Sequence, residues 1–313
     1  MEIGSAAPRR PARISVVIQA EIALAVAGLL AACAGTGSPS TSSPTGSNAP
    51  NPATAAASPF LPTLDVSNPV GVIAVGHSGL TGEGTGTAGE AVPEKSWATG
   101  TLEAVNSVYL RLVAVRPETE GHAANTARGG ASASQLAGMV DPALELVPVP
   151  ALAIIQTIDN DIHCDGRDAT RLEAFGESVR VAIERIVLAS PNVRVLVVGQ
   201  LGRPRAAFLE DLVEAHPEVK ASATGVGRCD AFGPDGELVQ AHLDYLTAII
   251  DSFEAEQARV CAAFPQCATD AGVRAAYIDK LENFSGDWAH LNVRGQAEEA
   301  ELIWPVVGDL LGL

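Results

Sequence analysis

Three residues in two short stretches of the chain have the types and the spacing needed for nucleophilic catalysis. Ser78 lies between glycines in the run Gly-His-Ser-Gly, which allows a tight turn with the hydroxyl exposed and the amide free. Asp287 stands three residues before His290, so its carboxylate can reach one imidazole nitrogen while the other nitrogen faces a nucleophile. A serine, a histidine and a carboxylate are the components of a hydrolytic triad, and we take all three as candidate catalytic residues.

Two further stretches carry groups that can stabilise a developing negative charge. Gly130 is the second of two consecutive glycines, which permit backbone amides to point at a ligand, although a plain turn explains them equally well. Asn160 stands between two aspartates, and its side-chain amide can either donate to an oxyanion or cap a helix. Both residues are therefore candidate oxyanion donors.

Hydrophobic periodicity indicates the elements that must position these residues. Short β-branched runs predict buried parallel strands at Val70–Val75, Leu152–Thr157, Val193–Val198 and Val273–Ile278. Helical spacing of apolar residues predicts helices at Leu102–Ala114, Arg171–Leu188, Arg205–Ala215, Glu237–Phe264 and Asn292–Leu311. The alternation predicts a single α/β domain, a three-layer doubly wound parallel sheet, with its site at the carboxyl ends of the strands.

The four stretches that carry the candidate site residues resemble, in this order, blocks of the SGNH (GDSL) hydrolase family. They contain Ser78, Gly130, Asn160 and the pair Asp287 and His290. The resemblance implies a flavodoxin-like fold in which Ser78 is the nucleophile, His290 the base and Asp287 the acid that orients it. It also implies an oxyanion hole formed by the Ser78 amide, Gly130 and Asn160. Such an enzyme hydrolyses carboxylic esters and requires no metal or organic cofactor.

The chain departs from the family pattern at three positions. His77 stands where the first block usually has Asp, and Gly79 follows the serine where Leu is common. Ile158 replaces a glycine two residues before Asn160, and because a β-branched residue disfavours positive φ we expect extended backbone there. The G-x-S-x-G elbow of α/β-hydrolases does not fit, because Leu80 occupies its fifth position.

The N-terminal part of the chain has the features of an export signal. An apolar stretch at 22–32 follows three arginines and is too short to span a bilayer. It ends Leu-Ala-Ala-Cys, which resembles the lipobox of bacterial lipoproteins and makes Cys33 a candidate lipidation site. We therefore expect a signal peptide at 1–32, a disordered tether at 33–60 and the hydrolase domain at 61–313. The alternative is an ordinary secretory peptide cleaved nearby.

The four other cysteines are even in number, as expected for disulfides in an exported protein. Three pairings are possible. The short interval between Cys261 and Cys267 suggests a local bridge, which leaves Cys164 to pair with Cys229. A zinc site at Cys164 is disfavoured because there is no second ligand pair at finger-like spacing.

Composition narrows the function further. The chain has 313 residues, a formal net charge of −17 and a sequence pI near 4.7, which oppose nucleic acid as a partner. The glycine-rich turn at Ser78 lacks the spacing of a nucleotide-binding loop.

A membrane-tethered serine esterase acting on a small-molecule or glycan ester is the leading hypothesis. An acyltransferase or deacetylase of cell-envelope glycans and a non-catalytic glycan-binding lipoprotein are the alternatives. We expect loops such as Thr81–Lys95 and Ser222–Gly236 to set specificity.

Overall fold

The central sheet of the protein consists of five parallel strands in the computed structural model, which describes residues 67–313. The strands are β1 (Val72–Gly76), β2 (Ala123–Asn125), β3 (Leu152–Gln156), β4 (Arg194–Val198) and β5 (Cys267–Thr269), in the spatial order β2-β1-β3-β4-β5. Gly76 at the end of β1 pairs with Gln156 at the end of β3, so the two strands finish together. The strand order reverses between β1 and β3, where an open α/β sheet forms its binding crevice.

Helices cover both faces of this sheet. They are α1 (Val108–Val115), α2 (Ala137–Leu146), α3 (Leu172–Ala189), α4 (Ala206–Ala215), α5 (Pro217–Ser222), α6 (Gln240–Cys261) and α7 (Val293–Leu311). The side chains of α1 and α7 pack on one face of the sheet, and those of α2, α3 and α6 pack on the other. The three-layer doubly wound α/β fold that the sequence predicts is therefore confirmed.

The central strands β1, β3 and β4 are almost entirely apolar because both of their faces are buried. In β1, Val72 and Ala74 contact the layer that contains α1 and α7, whereas Ile73 and Val75 contact the opposite layer. Side chains of successive strand residues point to opposite faces, so a strand between two helical layers needs an unbroken apolar run. This pattern explains why the predicted β1, β3 and β4 coincide with the observed strands to within two residues at either end.

The prediction of a strand at Val273–Ile278 is wrong. The fifth strand is Cys267–Thr269, which pairs with β4, and residues 273–278 form turns and irregular chain. Within that segment Arg274 is buried in an ion pair and Ile278 is exposed, so the run does not supply a buried apolar strand. The sequence also gave no signal for α2, which contains Pro142, because proline is unfavourable inside a helix.

Two disulfides tie the loops to this framework. Cys164 bonds to Cys229 and Cys261 bonds to Cys267, which confirms the predicted pairing. The predicted signal peptide, the tether and the lipidation site at Cys33 fall in residues 1–66, outside the described part of the chain. Within residues 67–313, none of the helices combines the length and the apolar character that crossing a membrane requires.

Candidate active site

Ser78 begins a short 3-10 turn directly after β1. The strand ends at Gly76, where φ is +152° and an added Cβ would lie 1.9 Å from the carbonyl oxygen of Gln156, so no larger residue fits. The turn is closed by Thr81, whose amide and hydroxyl both donate to the Ser78 carbonyl, at 2.9 and 2.8 Å. Ser78 is 2% exposed and therefore sits on a rigid, largely buried turn at the carboxyl edge of the sheet.

Asp287 and His290 form a hydrogen-bonded pair just before α7. His290 Nδ1 lies 2.8 Å from Asp287 Oδ2. The other carboxylate oxygen, Oδ1, accepts hydrogen bonds from the Ser285 hydroxyl at 2.5 Å and from the amides of Ala289 and His290, each at 3.0 Å. Burial of Asp287 alone would raise its pKa, but the hydrogen bonds from His290, Ser285 and Ala289 outweigh it and hold the pKa well below its usual range. The carboxylate is therefore charged and fixed beside Nδ1.

Ser78 and His290 line one cavity. Its volume is about 20 Å³, which is room for one or two water-sized groups. Most of the remaining lining consists of polar side chains, together with Gly79, Ala289 and Leu291; the polar ones are His77, Gln156, Asp159, Arg274, Gln296 and Glu299. The structure thus brings the predicted nucleophile and the predicted base, which are more than 200 residues apart in the chain, to the same small cavity.

Gly130 and Asn160 lie on neighbouring loops, and neither lines this cavity. Gly130 adopts a φ of +70°. Asn160 Nδ2 donates a hydrogen bond at 3.1 Å to the carbonyl oxygen of Ala131, the residue that follows Gly130. Asp161 also joins the two loops, because its carboxylate accepts hydrogen bonds from the Ala133 amide at 3.1 Å and from the Thr157 hydroxyl at 2.8 Å. An amide nitrogen has two hydrogens, so Asn160 retains one donor beyond Ala131.

The expectation of extended backbone at Ile158 is wrong. Its φ is +115°, and its carbonyl oxygen accepts hydrogen bonds from the amides of Asp161 at 2.8 Å and Ile162 at 3.2 Å, which close a turn that contains Asn160. A positive φ at a β-branched residue costs about 1–3 kcal/mol. The side chain of Ile158 is fully buried in the apolar core, and burial of an isoleucine contributes about 1.5–3 kcal/mol, which offsets the strain.

The unusual His77 links the two loops that follow β1 and β3. Its Nδ1 accepts a hydrogen bond from the Gly79 amide at 3.1 Å, and its Nε2 lies 3.2 Å from Asp159 Oδ2. A nitrogen that accepts a hydrogen bond carries no proton, so the proton of the neutral ring is on Nε2, the nitrogen nearest to Asp159. His77 therefore caps the serine turn and ties it to the residue before Asn160. No sequence pattern indicates this role of Asp159.

Gly79, the second departure from the family pattern, is required by its neighbours. A Cβ at this position would lie 2.4 Å from Gln156 Nε2 and 2.9 Å from the ring carbon Cε1 of His77. Both side chains are buried and line the cavity, so neither has room to move away. The glycine after the serine thus accommodates the buried glutamine and histidine of this particular site.

A buried ion pair forms another part of the cavity wall, and sequence reasoning missed it. Arg274 lies 2.6 Å from Glu299, and their side chains are 1% and 2% exposed. Arg274 also donates to the Gly199 carbonyl and lies over the ring of Trp97. The two partners come from the loop after β5 and from α7, and Arg274 falls in the segment that the sequence pattern assigns to a strand. Only the fold shows that they meet.

The run around Cys164 that was considered as a zinc site lies within residues 67–313. That part of the chain contains no group of three or more His, Cys, Asp or Glu side chains that could hold a metal ion. Cys164 is engaged in a disulfide, so the run around His163 does not provide a thiolate ligand.

Comparison of the sequence with protein-family models and with curated proteins finds no match. Among solved structures, the chain is similar to phospholipase A1 from Streptomyces albidoflavus, with 13% identity, 77% of this chain and 99% of that chain covered, and a TM-score of 0.48. It is similar to an extracellular lipase from Streptomyces rimosus, with 15% identity, coverage of 77% and 99%, and a TM-score of 0.47. It is also similar to a family 3 carbohydrate esterase from Clostridium thermocellum, with 15% identity, coverage of 78% and 97%, and a TM-score of 0.43.

Proposed function

We propose that this protein is a serine ester hydrolase of the SGNH type. The observation that carries the proposal is the Asp287–His290 pair, with Nδ1 held 2.8 Å from a charged carboxylate, in the same cavity wall as Ser78. A fixed carboxylate at Nδ1 sets the tautomer in which Nε2 is free of a proton and stabilises the imidazolium that forms during the reaction.

In the proposed reaction the Ser78 oxygen attacks the ester carbonyl carbon while Nε2 of His290 takes the hydroxyl proton. The carbonyl oxygen becomes an oxyanion, for which the amides of Ser78 and Gly130 and the side chain of Asn160 are the proposed donors. The imidazolium then gives its proton to the alcohol oxygen as the carbon–oxygen bond breaks, leaving an acyl-enzyme. Attack by water, with its proton again passing to Nε2, releases the acid and restores Ser78.

The small size of the cavity beside Ser78 and the charged side chains in its wall support a short acyl group. A volume of about 20 Å³ has room for one or two groups the size of water, and the buried Arg274–Glu299 pair lies in its wall. A long alkyl chain would have to be buried against charged groups, which gains little from the hydrophobic effect. The proposed substrates are therefore acetyl esters and esters of similar size.

The test uses purified full-length protein with p-nitrophenyl acetate, butyrate and octanoate and with a fluorophosphonate probe. We expect the acetate to be cleaved fastest, and Ser78→Ala to abolish labelling and nearly all hydrolysis, since the nucleophile is lost. Ser252→Ala, at an exposed position on α6, is the matched control and should behave as the wild type. Persistent labelling of Ser78→Ala would overturn the assignment of the nucleophile, and a wild-type protein that neither labels nor hydrolyses would favour the glycan-binding alternative.

We further propose that the protein is exported and anchored to the membrane through a lipid on Cys33. The support is the apolar stretch that ends Leu-Ala-Ala-Cys and the two disulfides of the domain, which persist in an oxidising compartment. Metabolic labelling with radioactive palmitate tests this. The label should enter the wild-type protein and be lost in Cys33→Ser, with the variant recovered from the medium. Equal membrane retention of both proteins would contradict the proposal.

A further inference from the structure

A carboxylate that is not part of the proposed triad lies beside the proposed base. Glu83 Oε2 lies 4.0 Å from His290 Nε2, and the Glu83 side chain is only 13% exposed. The same oxygen lies 3.0 Å from the position that a Cβ on Gly129 would take. The Glu83 carboxylate is therefore placed between the imidazole and the loop that carries the proposed oxyanion donor Gly130.

The loop is built so that Glu83 holds this position. The Glu83 amide donates to the Thr81 hydroxyl oxygen at 3.3 Å, and that hydroxyl donates to the Ser78 carbonyl at 2.8 Å, so the loop is tied to the serine turn. Gly84 follows with a φ of +86°, and a Cβ there would lie 2.6 Å from His290 Cβ. A residue larger than glycine at position 84 would force the loop away from the histidine.

The proposed reaction places the leaving group next to this carboxylate. Nε2 of His290 must come within about 3 Å of the alcohol oxygen in order to give it a proton. Groups on the carbon atoms next to that oxygen then come within reach of Glu83, whose carboxylate is 4.0 Å from the same nitrogen. Glu83 does not line the small cavity that we assign to the acyl group. The acyl group and the alcohol are thus contacted by different residues.

We propose that Glu83 is a specificity-determining residue that contacts the alcohol part of the substrate. It selects alcohols that carry a hydroxyl group or a positive charge near the ester oxygen, because an ionised carboxylate accepts hydrogen bonds and attracts cations. This assignment rests on the proposed ester hydrolysis. A carboxylate near the developing oxyanion also opposes that charge, so Glu83 lowers the rate for alcohols that offer it no partner.

The effect of Glu83 can be isolated because a change at this residue leaves the other charged and titratable groups around His290 in place. Asp287 contacts Nδ1 of His290 from the same loop. The Arg274–Glu299 pair and His77 line the same cavity as His290. All of these groups are retained when Glu83→Gln removes one charge at nearly constant shape. Glu90→Gln removes the same charge from an exposed position further along the same loop and is the matched control.

The experiment compares three acetyl esters on the purified full-length protein by titration of the acid released. They are acetylcholine, with a cationic alcohol, 2-hydroxyethyl acetate, with a hydroxyl, and 3,3-dimethylbutyl acetate, with neither. In Glu83→Gln we expect kcat/KM to fall about tenfold or more for the first two through a higher KM, as for lost hydrogen bonds to a charged group. The value for 3,3-dimethylbutyl acetate should be unchanged or higher, and Glu90→Gln should match the wild type for all three.

The outcomes separate the two kinds of alcohol and the two proposals. A loss confined to acetylcholine assigns Glu83 to cationic alcohols, and a loss confined to 2-hydroxyethyl acetate assigns it to hydroxylated alcohols such as sugars. Equal changes for all three esters in an active Glu83→Gln variant, or no change at all, overturn the role of Glu83 alone. Failure of the wild-type protein to hydrolyse any ester overturns ester hydrolysis, and the assignment of Glu83 falls with it.

Discussion

Replacing Asp287 by asparagine reverses the hydrogen-bonding polarity at one atom of the proposed triad. Three donors, the Ser285 hydroxyl and the amides of Ala289 and His290, converge on Oδ1, so this position must remain an oxygen in the variant. The new NH2 group therefore takes the place of Oδ2, 2.8 Å from Nδ1. An amide nitrogen only donates, so His290 must turn to the tautomer with its proton on Nε2, which cannot accept the proton of Ser78. A wrong tautomer of this kind costs about 10⁴-fold in kcat, or about 5 kcal/mol.

The assay is the hydrolysis of p-nitrophenyl acetate as a function of pH, together with the rate of fluorophosphonate labelling and the urea-induced unfolding curve. Asp287→Asn should lose about 10⁴-fold in kcat while its free energy of unfolding changes by only about 1–2 kcal/mol, since the hydrogen bonds to Oδ1 remain. Ser285→Ala is the control, because it removes one hydrogen bond to Oδ1 and leaves the tautomer unchanged; it should lose less than about tenfold. The reasoning is refuted if Asp287→Asn stays within tenfold of the wild type, or if Ser285→Ala loses as much.

Two further predictions concern stability. Burial raises the pKa of Asp279 from 3.8 to about 7, and within the described residues its carboxylate oxygens have no hydrogen-bond partner. The carboxyl group of Asp279 therefore keeps its proton up to about pH 7 in the folded protein, whereas it loses the proton near pH 4 in the unfolded chain. The stabilisation present at low pH should therefore be lost as pH rises from about 4 to about 7, a change of about 4 kcal/mol in the free energy of unfolding that Asp279→Asn should remove. Urea-derived free energies of unfolding that fall by the same amount between about pH 4 and about pH 8 in both proteins would contradict this. Loss of the Cys164–Cys229 bridge, with a separation of 65 residues, should cost about 4 kcal/mol by loop entropy, against about 2 kcal/mol for Cys261–Cys267 with a separation of 6. Serine replacement of each pair and thermal unfolding measure the order, and equal losses would argue against the loop-entropy account.

The parts of the fold that the sequence predicted are those governed by local pattern. β1, β3 and β4 are continuous apolar runs because they are buried between two helical layers, and the long amphipathic helices α3, α6 and α7 repeat their apolar residues over several turns. These apolar patterns extend over enough residues to identify each segment as a strand or a helix from the sequence. The placement of Asp287 and His290 just before the last helix follows from the same pattern.

The parts that the sequence did not predict depend on contacts between distant segments. β5 has only three residues and is recognisable as a strand through its pairing with β4, and the apolar run that follows it is interrupted by the buried Arg274. Ile158 adopts a positive φ against its own preference because its side chain completes the core. In each case a tertiary interaction of a few kcal/mol outweighs a smaller local preference.

The sequence by itself determined the α/β architecture, the order of the candidate site residues, the carboxylate three residues before a histidine and the short interval that suggested the Cys261–Cys267 bridge. Periodicity and spacing encode these features, since they act within a few residues or along one strand or helix. Only the tertiary structure decided that His77 lies beside Asp159, that an Arg–Glu pair lines the cavity beside Ser78, and that Glu83 faces the proposed base. The residues in these contacts lie on α7 or on loops that follow different strands. The assembly of the sheet and its helices, rather than any local pattern, brings these residues within a few ångströms of one another.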